Sequence, residues 1–246
     1  MSVSPNPKSL LAELVTAHRI LVAENVLDAF GHISVRDPQS PDTFWLARAL
    51  PPSVVEAHDF LRFDLSGDPV AQDKGPLFAE RYIHSAIYRA RPDVHSVCHH
   101  HAVAIMPFCL TDRSLVGVSQ TGAFLGNGVP VWDSATEFGA TRMVVETPDQ
   151  AASLATALGS EAVILMRGHG ATVVGCGIRD TVFRSVYACK DAQFQYVAAA
   201  LGPVNTLSEG ELELGKVPSN PAINRCWTHL SALYQGTDQT KKGSIA

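Results

Sequence analysis

Two apolar segments joined by a glycine-containing turn constrain the fold of this chain most strongly. Residues 161–166 read EAVILM, residues 167–170 read RGHG, and residues 171–175 read ATVVG. A short, continuous apolar run is typical of a strand buried on both faces, so the first segment is predicted to lie inside a sheet. The glycines of the turn permit unusual backbone angles, and the strand before it is expected to hold His169 rigidly.

Helical periodicity appears on both sides of this unit. Apolar residues recur at helical spacing from Lys8 to Phe30, where Gly31 is expected to end the helix. A second helix is predicted from Glu80 to Arg91, because the proline that follows disfavours helix in the residue before it. Further helices are predicted over residues 134–146, 148–158, 179–201 and 227–234.

Short β-rich segments alternate with these helices. Predicted strands include ISVRD, TFWLA, FLRFDLSGDPV, which is read as two strands around a turn, VHSVCHHHAVAIM and PVWD. Residues 208–222, SEGELELGKVPSNPA, have no period and are predicted to form a surface loop. The order of elements predicts an α/β fold, with helices on both faces of a central, mostly antiparallel sheet.

The composition favours one globular domain over residues 1–246. Hydrophobic residues make up 46% of the chain and charged residues 17%, without a shift along its length. Residues 1–8 are expected to be a flexible N-terminus, and residues 202–246 a loop and a C-terminal helix. The formal net charge of −5 argues against a nucleic acid or an anionic membrane as partner, so a small molecule is expected.

The cysteines and the N-terminal segment predict a cytoplasmic protein. Five cysteines, an odd number, are widely spaced and form no C-x-x-C pair, which is typical of a reducing compartment. The start of the chain has no apolar run of the secretory type, and no segment reaches the roughly 18 apolar residues of a membrane span.

Three histidines are candidate metal ligands. His99 and His101 are two residues apart in a predicted strand, so their rings are expected on the same face. A zinc site needs at least one more ligand, for which His169 is the best candidate. His100 is expected to point to the opposite face. The alternative interpretation is a polar strand end followed later by an ordinary hairpin turn.

Glu80 is a candidate acid or base. It opens a predicted helix, where the helix N-terminus favours its charge, and on its own it reads as an ordinary salt-bridge partner. A carboxylate held near a metal would, however, suit proton transfer. Other motifs are weak: TGAFLGNG lacks the features of a phosphate-binding loop, and no G-x-S-x-G elbow is present.

Four motifs together resemble the class II aldolase/adducin family. They are GHISVRDP, Glu80-x-x-x-His84, IYRARPDVHSVCHHHAVA and LMRGHG, in the family's order, within residues 9–200. The resemblance implies an α/β/α sandwich, commonly assembled as a tetramer with sites at subunit boundaries. It also implies one divalent ion per chain (zinc, manganese, iron or cobalt), bound by His99, His101 and His169, with Glu80 as acid or base.

Two departures from the sugar-phosphate aldolases of that family bear on the substrate. Those enzymes typically have G-N-x-S, a T-P-x-G turn, and Ser-Ser before the glutamate, and these elements hold the phosphate. Here His32 replaces the asparagine, WLARALPP replaces the turn, and Phe78 lies two residues before the glutamate. Arg48, His32 and Phe78 are therefore predicted to bind a carboxylate on a flat aromatic or heteroaromatic ring, which points to the decarboxylase branch.

The sequence thus predicts a metal-dependent, non-oxidative decarboxylase of a hydroxylated aromatic or heterocyclic carboxylic acid. The metal would withdraw electrons from the ring, and Glu80 would protonate the carbanion left by carbon dioxide. An aldolase acting on a non-phosphorylated hydroxy-ketone or hydroxy-acid is the first alternative. An iron-dependent oxygenase and a non-catalytic, adducin-like binding protein are further alternatives, and the complete set of ligands argues against the last.

Overall fold

The predicted central sheet is present. The computed structural model describes residues 6–72 and 75–240, with side chains described as far as residue 234. Within these residues, the strands follow the spatial order β3-β2-β1-β4-β7-β6-β5. Their bounds are β1 His32–Arg36, β2 Thr43–Ala47, β3 Phe60–Asp64, β4 Ser96–His100, β5 Val131–Trp132, β6 Val163–Met166 and β7 Gly170–Gly175.

Helices cover both faces of this sheet. Their bounds are α1 Pro7–Ala23, α2 Arg81–Ala90, α3 Met106–Cys109, α4 Ser134–Phe138, α5 Pro148–Leu158, α6 Ile178–Leu201, α7 Glu209–Gly215 and α8 Asn220–Thr240. Helices α1, α6 and α8 contact one another on one side, and α2 contacts α5 on the other. No helix of the described residues is both long enough and apolar enough to cross a membrane.

The strand register brings together residues that are distant in sequence. All neighbouring strands are antiparallel except β5 and β6, which are parallel, so the sheet is mostly antiparallel as predicted. Strand β4 is central: His99 lies opposite His32 of β1 and opposite Thr172 of β7. Residues directly opposite one another project to the same face of a sheet, so these three side chains share a face.

The sheet has a hydrophobic core on each face, and successive residues of β4 and β7 point alternately into one core and the other. Cys98 and Val173 belong to the core that includes α1 and α6, whereas Val97 and Val174 belong to the core that includes α2 and α5. This alternation is the expected consequence of a sheet buried on both faces. The α/β/α sandwich predicted from the sequence is therefore confirmed.

The first helix is shorter than its apolar pattern predicts. It ends at Ala23 rather than Phe30, because Asn25 adopts a φ of 57° and turns the chain. The backbone N–H groups of Val26 and Leu27 then donate to the carbonyl of Leu21. The apolar spacing continues past the end of the helix because Val26 and Leu27 still pack into the core.

The predicted helix over residues 134–146 is also largely wrong. Helix α4 ends at Phe138, and Gly139 adopts a φ of 67°, a left-handed conformation that glycine tolerates and that stops a helix. The chain that follows is irregular, and Met143 has a φ of 62°. This irregular segment approaches the turn that carries His169.

The predicted surface loop at residues 208–222 contains a helix. Ser208 caps α7 in a capping box, in which its hydroxyl accepts from the N–H of Glu211 and the Glu211 carboxylate accepts from the N–H of Ser208. The Ser-x-x-Glu signal is present in the sequence, but Gly210 and Gly215 weaken the helical pattern of this segment. The loop that follows α6 is therefore confined to about residues 202–208.

The chain ends and one hairpin differ from expectation in detail. Helix α1 begins at Pro7, so the predicted flexible N-terminus does not include residues 7 and 8, and residues 1–5 lie outside the described residues. Helix α8 begins at Asn220, well before the predicted start at 227. After β3, the predicted second strand is only one bridge between Phe63 and Pro69. Proline has no N–H to donate, which limits further pairing.

Candidate metal centre

Three structural elements bring the candidate ligands together. His99 is on β4, His101 follows the last residue of that strand, and His169 lies in the turn between β6 and β7. Glu80 is the residue before α2, at its N-terminal end. The carbonyl of His100 and the ring of His101 lie so close to Gly170 that a Cβ there would meet them at 2.3 and 3.0 Å. Glycine at this position thus lets the turn approach the end of β4.

The four side chains converge on one point. The Nε2 atoms of His99 and His101 are 3.0 Å apart, and each lies 3.1 Å from Nε2 of His169. The carboxylate oxygens of Glu80 lie 3.4 Å from Nε2 of His99 and 3.3 Å from Nε2 of His169. Four ligand atoms therefore lie within 4.8 Å of one another.

Each imidazole is oriented through its other nitrogen. Nδ1 of His169 donates to the backbone carbonyl of Met143, and Nδ1 of His101 lies 3.2 Å from the carboxylate of Asp28. Nδ1 of His99 lies 3.2 Å from the hydroxyl of Thr172. Such partners fix the ring tautomer and leave the lone pair of Nε2 available. Three imidazoles and a carboxylate are a donor set that zinc and other divalent transition metals accept, so the residues fit the implied ion.

Burial and neighbouring charges shift the pKa values of His169 and Glu80 and so determine their protonation states. Burial and, to a smaller extent, the nearby His99 together lower the pKa of His169 to about 4, which keeps the ring in the neutral form that binds metals. Burial alone raises the pKa of Glu80, but His99, His169 and the N–H of Val145 together lower it to about 2. Glu80 is therefore ionised at neutral pH, either as a ligand or as a proton acceptor.

One side of the cluster is open. The side chain of His99 is fully buried, whereas those of Glu80, His101 and His169 are 12%, 18% and 9% exposed. Solvent, and therefore a small molecule, can approach the cluster from the side that these three residues form. Of the three imidazoles, that of His99 is therefore buried, and those of His101 and His169 are partly accessible.

The predicted substrate-binding residues lie on the β1 side of the cluster. His32 is buried with its ring centroid 5.3 Å from that of His99 and 4.4 Å from that of Phe78, which is half-buried. Arg48 follows β2 and is half-buried. The pairs of β1 with β2 end at Val35 and Trp45, and the same register extended by three residues would set Arg48 opposite His32 on one face. Its role in binding remains a prediction.

The sequence did not reveal the residues that support the ligands. Asp28 was read as part of a helix, yet its carboxylate accepts from the N–H groups of Phe30 and Gly31 and contacts His101. Thr172 was identifiable only through the pairing of β4 with β7, which places it opposite His99. Met143 contributes a backbone carbonyl, a contact that residue type cannot signal.

Comparisons with known proteins identify the family and the fold. A family model described as Class II Aldolase and Adducin N-terminal domain matches residues 12–196. The chain belongs to this family. Its fold also resembles that of L-fuculose 1-phosphate aldolase from Glaciozyma antarctica, with a TM-score of 0.79, 21% sequence identity, and coverage of 98% of this chain and 95% of the other.

Curated relatives with higher identity bear the names of decarboxylases. Decarboxylase tropJ of Talaromyces stipitatus is 33% identical over 209 residues, which cover 80% of this chain and 79% of the relative. The 3,4-dihydroxyphthalate decarboxylase of Arthrobacter keyseri is 28% identical, and the match covers 89% of each chain. The resemblance to the decarboxylase branch that the motifs predicted is therefore confirmed.

Proposed function

We propose that this chain is a metal-dependent, non-oxidative decarboxylase of a hydroxylated aromatic or heterocyclic carboxylic acid. The convergence of three imidazole nitrogens and one carboxylate, in a chain whose 33% identical relative is named a decarboxylase, carries the proposal. His99, His101 and His169 would hold one divalent ion. When bound, such an ion withdraws electrons from a chelating substrate and stabilises negative charge that develops on it.

Glu80 would move the proton. Its ionised carboxylate can accept the proton of the substrate hydroxyl, and the bond to carbon dioxide then breaks with its electron pair left on the ring. Glu80 returns the proton to that ring carbon, and a proton from solvent restores the hydroxyl. The position of Glu80 beside His99 and His169 supports this role, because the reacting carbon would lie close to the same point.

The residues on the β1 side would bind the acid. Phe78 offers a half-buried aromatic face next to His32, which suits a flat ring. Arg48, level with His32 by strand register, would pair with a carboxylate through two parallel hydrogen bonds. By motif comparison, these residues replace elements that typically hold the phosphate in the sugar-phosphate aldolases of the family.

A screen for carbon dioxide release tests the proposal. Hydroxylated benzoates, phthalates and heterocyclic acids would be incubated with protein loaded separately with zinc, manganese, iron or cobalt. Release that requires metal and is absent from a His99→Ala variant is expected. No release from any acid with any metal would overturn the decarboxylase.

An aldolase is the second candidate, and the fold shared with L-fuculose 1-phosphate aldolase is the observation that keeps it. The same centre could stabilise the carbanion of a non-phosphorylated hydroxy-ketone or hydroxy-acid. Retro-aldol assays separate the two functions. We expect no useful turnover of sugar phosphates such as fuculose 1-phosphate, and robust cleavage would contradict the substrate assignment.

We also propose that the chain forms a homo-oligomer, a tetramer by family resemblance. Exposed apolar side chains lie near the centre: Phe30 is 71% exposed, Val103 85% and Met143 41%. A second copy covering them would remove apolar surface from water and close the open side of the cluster. Native mass spectrometry or light scattering would give the number of copies, and a monomer would contradict this proposal.

A further inference from the structure

A continuous chain of buried polar groups runs from α2 to the edge of the metal centre. The hydroxyl of Tyr88 lies 2.7 Å from the hydroxyl of Ser34, which lies 2.6 Å from Nδ1 of His84. Nε2 of His84 lies 2.7 Å from Nδ1 of His32. None of these four residues exceeds 1% exposure. We call these residues the Tyr88–His32 chain.

The contacts at Tyr88 set the direction of the hydrogen bonds. Among the described residues, the hydroxyl of Ser34 is the group that lies within hydrogen-bond distance of the Tyr88 hydroxyl and can accept its proton. A buried phenol that did not donate its proton would lose a hydrogen bond, so the proton of Tyr88 must go to an acceptor. Ser34 is that acceptor, at 2.7 Å. The proton of Ser34 is then directed to Nδ1 of His84.

The same direction continues through the two histidines. A neutral imidazole has one N–H, so His84 that accepts at Nδ1 must donate from Nε2 to Nδ1 of His32. His32 in turn carries its proton on Nε2. Both rings are fully buried, and each accepts a hydrogen bond at Nδ1, so each carries a single proton, on Nε2. The chain therefore selects one tautomer of His32.

The Nε2 atom of His32 has no partner among the described residues, although it is buried. It points away from His84, because the two ring nitrogens of an imidazole face in largely opposite directions. The His32 ring contacts His99 and Phe78, with centroids 5.3 and 4.4 Å away. A buried N–H without a partner is costly unless a ligand satisfies it.

We propose that the Tyr88–His32 chain holds His32 as a fixed Nε2–H donor to an oxygen of the bound substrate. This inference rests on the proposed function for the nature of the substrate, an acid with carboxylate and hydroxyl oxygens. His32 is the contact residue, and Tyr88, Ser34 and His84 are positioning residues. A donor of fixed tautomer favours an oxygen acceptor and disfavours an N–H or cationic group at the same place.

The tautomer can be measured without any turnover. Zinc-loaded protein labelled with ¹⁵N-histidine would be observed by long-range ¹H–¹⁵N NMR, which distinguishes a protonated from an unprotonated ring nitrogen. The signals of His32 are assigned by their loss in His32→Phe. We expect Nε2 of His32 to be protonated and Nδ1 to be unprotonated in a single form.

A matched pair of serine variants tests the positioning role. Ser34→Ala removes the donor to His84 and is expected to convert the single His32 form into a mixture of both tautomers. Ser96→Ala is the control, because Ser96 is equally buried on the neighbouring strand but donates only to the backbone carbonyl of Ser34. Ser96→Ala is expected to leave the tautomer of His32 unchanged.

Binding of salicylate, a simple hydroxylated benzoate, tests the contact itself. Loss of a hydrogen bond to a charged oxygen should weaken salicylate binding by about tenfold or more in His32→Phe at unchanged zinc content. A wild-type His32 protonated on Nδ1, an unchanged tautomer in Ser34→Ala, or salicylate binding that is absent or equal in wild type and His32→Phe overturns the proposal. Failure of the decarboxylase would appear instead as absent carbon dioxide release, with the tautomer result intact.

Discussion

The carboxylate of Asp28 lies 3.2 Å from Nδ1 of His101, so a residue outside the ligand cluster orients one of its members. The Asp28 carboxylate is itself held by the N–H groups of Phe30 and Gly31. Asp28→Asn keeps the shape but removes the charge that makes the imidazole a stronger ligand. We expect metal affinity to fall about 10- to 100-fold, as measured by competition with a chelating dye.

The control for this variant is Asp93→Asn. Asp93 also accepts hydrogen bonds from a neighbouring side chain, but it is exposed, and these bonds come from Arg91 rather than from a member of the cluster. The metal affinity of the Asp93→Asn protein should match that of the wild type. Equal affinities in both variants would show that Asp28 does not support the site.

Metal content tests the three histidines directly. We expect about one divalent ion per chain in the purified protein, and His99→Ala or His169→Ala should lose it because two imidazoles remain where three converge. Elemental analysis by mass spectrometry gives the ratio. His229→Ala, a change at an exposed histidine, is the control. Full metal content in both cluster variants would refute the site.

Glu80→Gln separates proton transfer from metal binding. The amide keeps the size of the side chain but cannot carry the proton, so turnover should fall by about 10² to 10⁴ while metal stays bound. The carboxylate also lies close enough to His99 and His169 to act as a ligand. In that case metal content would fall with the rate, and added metal would restore part of it. Wild-type turnover at full metal content would contradict both roles.

Arg48 is predicted to anchor the substrate carboxylate. Arg48→Lys keeps the charge but loses the planar pair of donors, so both Arg48→Lys and Arg48→Ala should raise the KM for the acid. Steady-state kinetics on the acid found in the screen would measure this change. Arg89→Lys provides the control, because Arg89 is exposed and donates to the backbone carbonyl of Leu65. Unchanged kinetics in Arg48→Ala would remove Arg48 from the site.

His18 is predicted to make stability depend on pH. Its ring is fully buried, and burial lowers its pKa to about 4, although the bond to the carbonyl of Leu14 opposes this. In the unfolded chain, His18 therefore binds a proton as the pH falls below about 6.5. In the folded chain, it binds that proton only near pH 4. As the pH is lowered from about 6.5 to about 4, the free energy of unfolding should therefore fall, by on the order of 3 kcal/mol from His18 alone.

Urea unfolding at several pH values measures this contribution. His18→Leu should be less stable at pH 7, because the hydrogen bond is lost, but its stability should fall less steeply between pH 6.5 and 4. His58→Ala, at a largely exposed histidine, is the control. The same slope in His18→Leu and wild type would contradict the prediction.

The sequence predicted the sheet and the convergence of the three histidines better than the irregular segments. His99, His101 and His169 could be found because strand alternation and a glycine turn are local patterns, and the family motifs confirmed their order. The ends of α1 and α4 depend on Asn25 and Gly139 in left-handed conformations, which local apolar spacing does not report. His101 was predicted within a strand but follows its end, and its ring still joins that of His99.

The supporting contacts were beyond sequence reasoning because they join distant positions. Thr172 meets His99 across 73 residues, and Asp28 meets His101 across the same separation. His32 was predicted to bind substrate, but its link to His84 could not be seen before β1 was placed beside α2. Such contacts follow from strand register, which a single sequence specifies only through the complete fold.

Strand β4 lies in the middle of the sheet, between β1 and β7, so the candidate metal ligands and the predicted substrate-binding residues lie on different strands. The ligands lie on β4 and the turn before β7, whereas His32 and the predicted position of Arg48 lie on the opposite flank, along β1 and β2. Substitutions on that flank leave the β4–β7 pairing intact. Substitutions there would change the substrate while leaving the candidate ligand cluster in place, so laboratory evolution of new specificities should begin at β1 and β2.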